Sequence, residues 1–291
     1  MKNKKFIWAV MLPAMLHILV FIIVPIGIGL VVSFFNFNPL SSDNTFVGVG
    51  NFKKLFMDAD FRLAMKNTLI FVFATVFLNI ALSLLVAQLI SYFKSNKVRS
   101  FFRMVFFLPC IAPMVATSVV FARSILPTTT GFLNMMLNRI GLPSVNWLGD
   151  PKVIMISLIV YTLWVDVGYN IVLFSAGIDG IPAYVYEAAD LDGASEWRKF
   201  RKVTLPLLGP SFTTCIFMSL TNGLKVFDII LALTKGGPGT ATNSVTLQIY
   251  KEAFTNNNYG LGSAQSMVYF LFVLIITQLV LKGFNRKEVD L

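Results

Sequence analysis

Long apolar runs separated by short polar islands dominate the chain. The first run, from Phe6 to about Phe35, exceeds the ~20 residues that a helix needs to cross a bilayer core. Further runs occupy about 67–92, 101–126, 153–177, 206–234 and 263–281. Backbone groups in a bilayer must be satisfied without water, so each run predicts a helix. The expected fold is an all-α polytopic membrane protein with six transmembrane helices in one domain over 1–291. Pro13, Pro25, Pro109 and Pro113 fall inside runs, where they bend a helix locally. Pro206 and Pro210 open the fifth run, and Gly236-Gly237-Pro238-Gly239 stops it. A secretory signal has a shorter core and a small-residue cleavage site, so the first helix is expected to stay attached.

The islands between runs carry the polar chemistry. Residues 36–66 predict an external segment with a short interfacial helix. A second external loop holds Pro127, Gly131, Pro143 and Pro151, and its Asn146-Trp147-Leu148 is expected to set an indole near the headgroups with a wet N–H. Residues 240–262 form the last external loop. The island at 183–203 is a short amphipathic helix broken by Asp192-Gly193, because glycine reaches left-handed backbone angles without a Cβ penalty.

Composition agrees with a membrane class. With 56% hydrophobic and 13% charged residues, the chain has too little polar surface to enclose a water-soluble core. Its net charge of +10 comes from clusters between apolar runs, which set orientation rather than bind nucleic acid. Lys2, Lys4 and Lys5, then Lys94, Lys97, Arg99 and Arg103, then Arg198, Lys199, Arg201 and Lys202, and last Lys282, Arg286 and Lys287 all belong inside by this rule. Both termini are therefore expected in the cytoplasm, although Lys53 and Lys54 run against the pattern. Cys110 and Cys215 lack CxxC spacing, so neither a disulfide framework nor a metal site is indicated.

The island Glu187-Ala188-Ala189-Asp190-Leu191-Asp192-Gly193-Ala194, with Phe200, Val203, Leu205, Pro206 and Pro210, resembles the EAA motif of binding-protein-dependent ABC importer permeases in its sugar-importer form. Gly193 follows the second alanine by four residues, as that motif requires. Leu233-Thr234-Lys235-Gly236-Gly237-Pro238, Asn146-Trp147-Leu148 and the final span are similar to the sugar-permease branch that contains the larger maltose permease subunit and the glycerol-phosphate permease. The resemblance implies a type I ABC importer permease fold in the bacterial inner membrane. It also implies a second homologous permease, two ATPase subunits, an external or periplasmic solute-binding protein and a carbohydrate substrate. In the family the EAA loop is the coupling helix, which implies that Glu187, Ala188, Ala189, Asp192, Gly193, Ala194, Phe200, Leu205 and Pro206 face the ATPase. Read from residues alone, the same loop is also compatible with an interfacial lipid anchor.

No Gly-Lys dipeptide occurs, so the chain lacks the phosphate-cradling loop of an ATPase. ATP and magnesium are then expected on the partner subunits, with no cofactor here. The single histidine, His17, lies on an apolar helix without nearby carboxylates, which excludes triad and zinc-protease arrangements. A solute path should instead show as polar residues on one helix face. Thr162, Asp166 and Tyr169 recur at steps of four and three, and Ser219, Asn222, Gly223 and Val226 do likewise on the fifth run. Helix packing through small and hydroxyl residues is the alternative.

The resemblance aligns these seven positions with those facing the sugar in maltose-permease relatives, although Asp166 stands where small or apolar residues are usual. Asp166, Lys225 and Asp228 are charges at costly depth. Lys225 and Asp228, three residues apart, are placed to pair with each other. Asp166 has no neighbour in sequence and is the candidate for sugar hydroxyls. The rival expectations are an ion-coupled secondary sugar carrier using Asp166 and Asp228, and a membrane-embedded enzyme.

Overall fold

The computed structural model describes residues 4–41 and 44–285, and Lys2, Arg286 and Lys287 of the charge pattern lie outside the described residues. Among the described residues, four helices are long and apolar enough to cross a membrane: Val10–Val32 (α1), Ala59–Ser91 (α3), Ile154–Asp179 (α7) and Tyr259–Gly283 (α13). Two further candidate spans are broken. Asn96–Ile111 (α4) and Met114–Ile125 (α5) meet at 93°, and Glu196–Leu207 (α9) and Gly209–Leu224 (α10) meet at 68°. Shorter helices are Gly50–Met57 (α2), Phe132–Arg139 (α6), Ala183–Leu191 (α8), Asp228–Leu233 (α11) and Val245–Tyr250 (α12).

The third apolar run is thus not one straight helix. Ala112, ahead of Pro113, adopts extended angles and ends α4, as steric clash with a following proline ring favours. Tyr161 of α7 donates to the Met114 carbonyl in the first turn of α5 at 3.1 Å, fastening the start of that helix to α7. The fifth run is broken twice. Its first bend falls at Leu208, between Pro206 and Pro210, and a second break at 225–227 separates α10 from α11.

The chain divides into two compact units, Met1–Arg62 with Val245–Phe272 and Leu63–Ser244 with Val273–Leu291. In the first, Phe35 and Asn36 pair antiparallel with Phe46 and Thr45. Buried Asn51 of α2 donates to the Ser33 and Phe35 carbonyls at 3.0 and 2.8 Å. The amide of Gly260, at the start of α13, donates to the Phe37 carbonyl. A methyl on Gly260 would collide with the backbone carbonyl oxygen of Phe35, so this approach requires glycine.

The second unit is built around α7. Half of its most apolar window is buried inside the chain, against none of α1's. Its buried residues Ile154, Leu158, Tyr161, Val165, Gly168, Ile171 and Phe174 recur every three or four positions, one wide face of a helix. Ile171, Phe174 and Ile178 join Ala87 and Ile90 of α3, and Leu208 and Cys215 of the α9–α10 region, in one buried apolar cluster. Buried Asn134 of α6 organises the 127–147 loop by donating to the carbonyls of Pro127, Thr128 and Val145. Its Oδ1 accepts the Trp147 indole N–H at 3.1 Å. The indole expected to stay wet is therefore satisfied by protein.

Candidate functional site

Midway along α7, the polar face meets α3 and the α10–α11 break around a cavity of about 310 Å³. Thr162, Asp166, Ser219, Asn222, Gly223 and Val226 line it, together with Thr75, Asn79, Lys225 and Asp228. A second cavity of about 260 Å³ shares Asn79, Asp166, Ser219 and Asn222 and adds Tyr169 and Asn170. All seven residues singled out in the sequence therefore border this space. Their availability differs. The Thr162 hydroxyl donates to its own helix at the Leu158 carbonyl, 2.8 Å away, whereas Asp166 is half-buried and Asn222 and Tyr169 are exposed. A methyl on Gly223 would lie 3.3 Å from Val72, so this glycine admits α3 as well as bordering the cavity.

A buried amide network supports one wall. Asn170 donates to Asn79 Oδ1 and to Ser219 Oγ, both at 2.8 Å, and Ser83 donates to the same Asn79 oxygen at 3.0 Å. These bonds join α3, α7 and α10 and hold Ser219 at the cavity edge. Asn79, Thr75 and Asn170 went unnoticed in the sequence. Thr75, Asn79 and Ser83 stand four residues apart on α3, a stripe that the period used for α7 detects equally well.

The anticipated pairing of Lys225 with Asp228 is not made: among the described residues no salt bridge joins them. Lys225 follows the end of α10 and Asp228 begins α11. Each thus complements the partial charge of a helix terminus, cation at the carbonyl end and anion at the amide end.

The polar island between α7 and α10 folds as a helical hairpin. Glu187, Ala188 and Ala189 lie on α8, and Asp192 caps it. The Ala194 and Gly193 amides donate to the Ala189 and Asp190 carbonyls at 2.9 and 3.0 Å. This paired closure needs a left-handed residue after the cap, and Gly193 supplies it at φ +68°. Ser195 then caps α9 by accepting the Arg198 amide. Lys199 bridges the two helices through Asp190 at 2.8 Å and also pairs with Glu196. Tyr186 and Thr204 share a hydroxyl hydrogen bond of 3.0 Å at the base. The hairpin leaves Leu191 91% and Trp197 68% exposed, while Phe200 and Leu205 are half-buried and Pro206 is exposed.

Beside the hairpin, Asp179 closes α7 and accepts from Arg99 at 3.3 Å and Arg103 at 2.7 Å, both on α4. Arg99 also donates to the Ser91 and Phe93 carbonyls at the end of α3. Asp179 thus ties the end of α7 to α4, and Arg99 extends the tie to the end of α3.

A polytopic helical fold with a polar mid-helix cavity and a projecting hairpin is the architecture of an importer permease. The chain belongs to the binding-protein-dependent transport system inner membrane components, whose sequence profile matches residues 80–287. It is a multi-pass membrane permease of the ABC importer class. It is 33% identical to the probable ABC transporter permease protein YurN of Bacillus subtilis (strain 168), over 98% of this chain and 97% of that one. It is 30% identical to the probable starch degradation products transport system permease protein AmyD of Thermoanaerobacterium thermosulfurigenes, over 100% and 97%. Among solved structures, it matches a bacterial ABC transporter involved in the import of the acidic polysaccharide alginate with TM-score 0.85 and 26% identity, covering 98% of this chain and 96% of that one. A bacterial alginate ABC transporter in complex with an alginate pentasaccharide-bound periplasmic protein matches with TM-score 0.83 and 26% identity, over 96% and 93%. These relatives support the ABC importer expectation and lend nothing to the ion-coupled one.

Proposed function

We propose that this chain is one of two homologous membrane subunits of a carbohydrate importer, fed by an external solute-binding protein and driven by two separate ATPase subunits that hold ATP and magnesium. Thr162, Asp166, Tyr169, Ser219, Asn222, Gly223 and Val226 form its share of the sugar path. Glu187, Ala188, Ala189, Asp192, Gly193, Ala194, Phe200, Leu205 and Pro206 form the coupling region, with both termini on the same cytoplasmic side. Closure of the ATPase dimer moves the hairpin and the helices attached to it, opening the cavity outward to receive sugar. Hydrolysis returns the inward-facing state, a population shift between two conformers.

The observation that carries this is the pairing of a polar cavity midway along α7 with a hairpin whose Leu191 is almost wholly exposed. Leu191 at the end of α8 and Trp197 on α9 give the hairpin an exposed apolar tip, which supports docking into a partner's groove. The test is uptake of labelled oligosaccharides by the reconstituted complex. Import that requires ATP and survives collapse of ion gradients is expected; import that follows a proton or sodium gradient without ATP would overturn the proposal.

A further inference from the structure

Asp166 occupies a singular place in the cavity. Among the described residues, it is the one acidic or basic side chain bordering the smaller cavity, whose polar wall is otherwise Asn79, Tyr169, Asn170, Ser219 and Asn222. It also borders the larger cavity, where Lys225 and Asp228 add one charge of each sign. Among the described residues, no salt bridge neutralises Asp166. The charge facing the larger cavity therefore sums to one negative, and a solute in either cavity lies against this carboxylate.

We propose that Asp166 makes the cavity selective for saccharides that are uncharged or carry an ammonium group, and excludes uronates. This rests on the carbohydrate-importer proposal above. A carboxylate only accepts hydrogen bonds, so it matches the hydroxyls of a neutral sugar and matches an ammonium better still. A uronate brings a second acceptor-only anion, and like charges brought together across a binding surface are costly. The exposed Asn222 amide offers both a donor and an acceptor and so favours neither charge state of a solute, while the Asn170 hydrogens and the Asn79 oxygen are engaged in the interhelical network. An acidic polysaccharide of the kind imported by one solved relative is accordingly the wrong cargo for this chain.

The test uses the complex purified with its partner subunits but without the solute-binding protein, so that only the membrane site is read. Binding is measured by calorimetry with gluco-, galacto- and manno-configured trisaccharides, each as the neutral sugar, its C6-oxidised uronate and its 2-amino form. The wild type is expected to bind a neutral or amino member at least tenfold more tightly than the matched uronate. Asp166→Asn is expected to shrink that ratio at least tenfold, about 1.4 kcal/mol. Asp166→Ser is expected to act in the same direction, and a ratio is insensitive to the fraction of folded complex. Equal wild-type affinity for uronate and neutral forms, or an unchanged ratio in both variants, overturns the selectivity while leaving the importer intact. Binding of no saccharide in the panel removes the carbohydrate assignment and this inference with it.

Discussion

Substitution of Gly168 by alanine tests how closely α7 and α4 are packed. A methyl there would stand 2.6 Å from the carbonyl carbon of Phe106 and 2.9 Å from Cα of Phe107. Carbon atoms in good contact lie ~3.5–4.0 Å apart, so α4 would have to retreat by about 1 Å. The obstacle is backbone and has no rotamer to escape into. Overpacking costs ~1–3 kcal/mol, and a backbone obstacle belongs at the upper end, while alanine returns about 1 kcal/mol of helix propensity. A net loss of about 2 kcal/mol follows. Gly180→Ala, at the end of the same helix, is the control, because its methyl comes no nearer than 3.4 Å to other atoms. Retreat of α4 also moves Cys110, which donates to the Val165 carbonyl at 2.8 Å and borders the smaller cavity. Thermal unfolding of the purified complex is therefore expected to fall by several degrees for Gly168→Ala, with slower uptake, and to hold or rise for Gly180→Ala. A Gly168→Ala complex as stable as the wild type would refute the close packing.

Three further outcomes are expected. Asn170→Ala removes two interhelical hydrogen bonds, each worth ~0.6–1.7 kcal/mol in a membrane, and should cost about 1–3 kcal/mol together with a weaker apparent sugar affinity; unchanged melting and affinity would count against the network. Asp179→Asn loosens a half-exposed pair of ion bridges worth ~0–1 kcal/mol, so melting should scarcely move while sugar imported per ATP hydrolysed falls, and intact stoichiometry would show that α7 and α4 need no such tie. Burial, aided by Asp58 and Asp60 and opposed by the Asn256 hydrogen bond, raises the Glu252 carboxyl above its usual range. The folded state then holds a proton that the unfolded state has released, so this stabilisation is full below the unfolded pKa and is lost as pH rises through the folded one. Glu252→Gln keeps an oxygen for Asn256 and should flatten that slope and raise stability above the window, as melting curves across pH would report.

Some of this molecule is written locally. An apolar run long enough to cross a bilayer is recognisable without knowing its neighbours. The Asp192-Gly193 break is legible for the same reason, since the left-handed angle it needs is a property of one residue. Spacing on α7 and α10 also picked out six residues that border one space, because helical period alone selects a face, while Val226 reaches it from the break after α10.

Other features depend on meetings between distant segments. Pro109 and Pro113 foretold a bend in the third apolar run, whereas Pro206 and Pro210 marked only the start of the fifth, and the 93° and 68° angles depend on how the helices pack. Trp147 found Asn134 instead of water, and Asn170 joined Asn79, 91 positions earlier in the chain, to Ser219. Lys225 and Asp228 are spaced to pair on a continuous helix, yet the helix breaks between them and each charge serves a separate terminus. Local chemistry determines where the chain can turn and which side of a helix is polar. Which polar sides converge is decided only when three helices pack, since every buried amide there must take its partner from another segment.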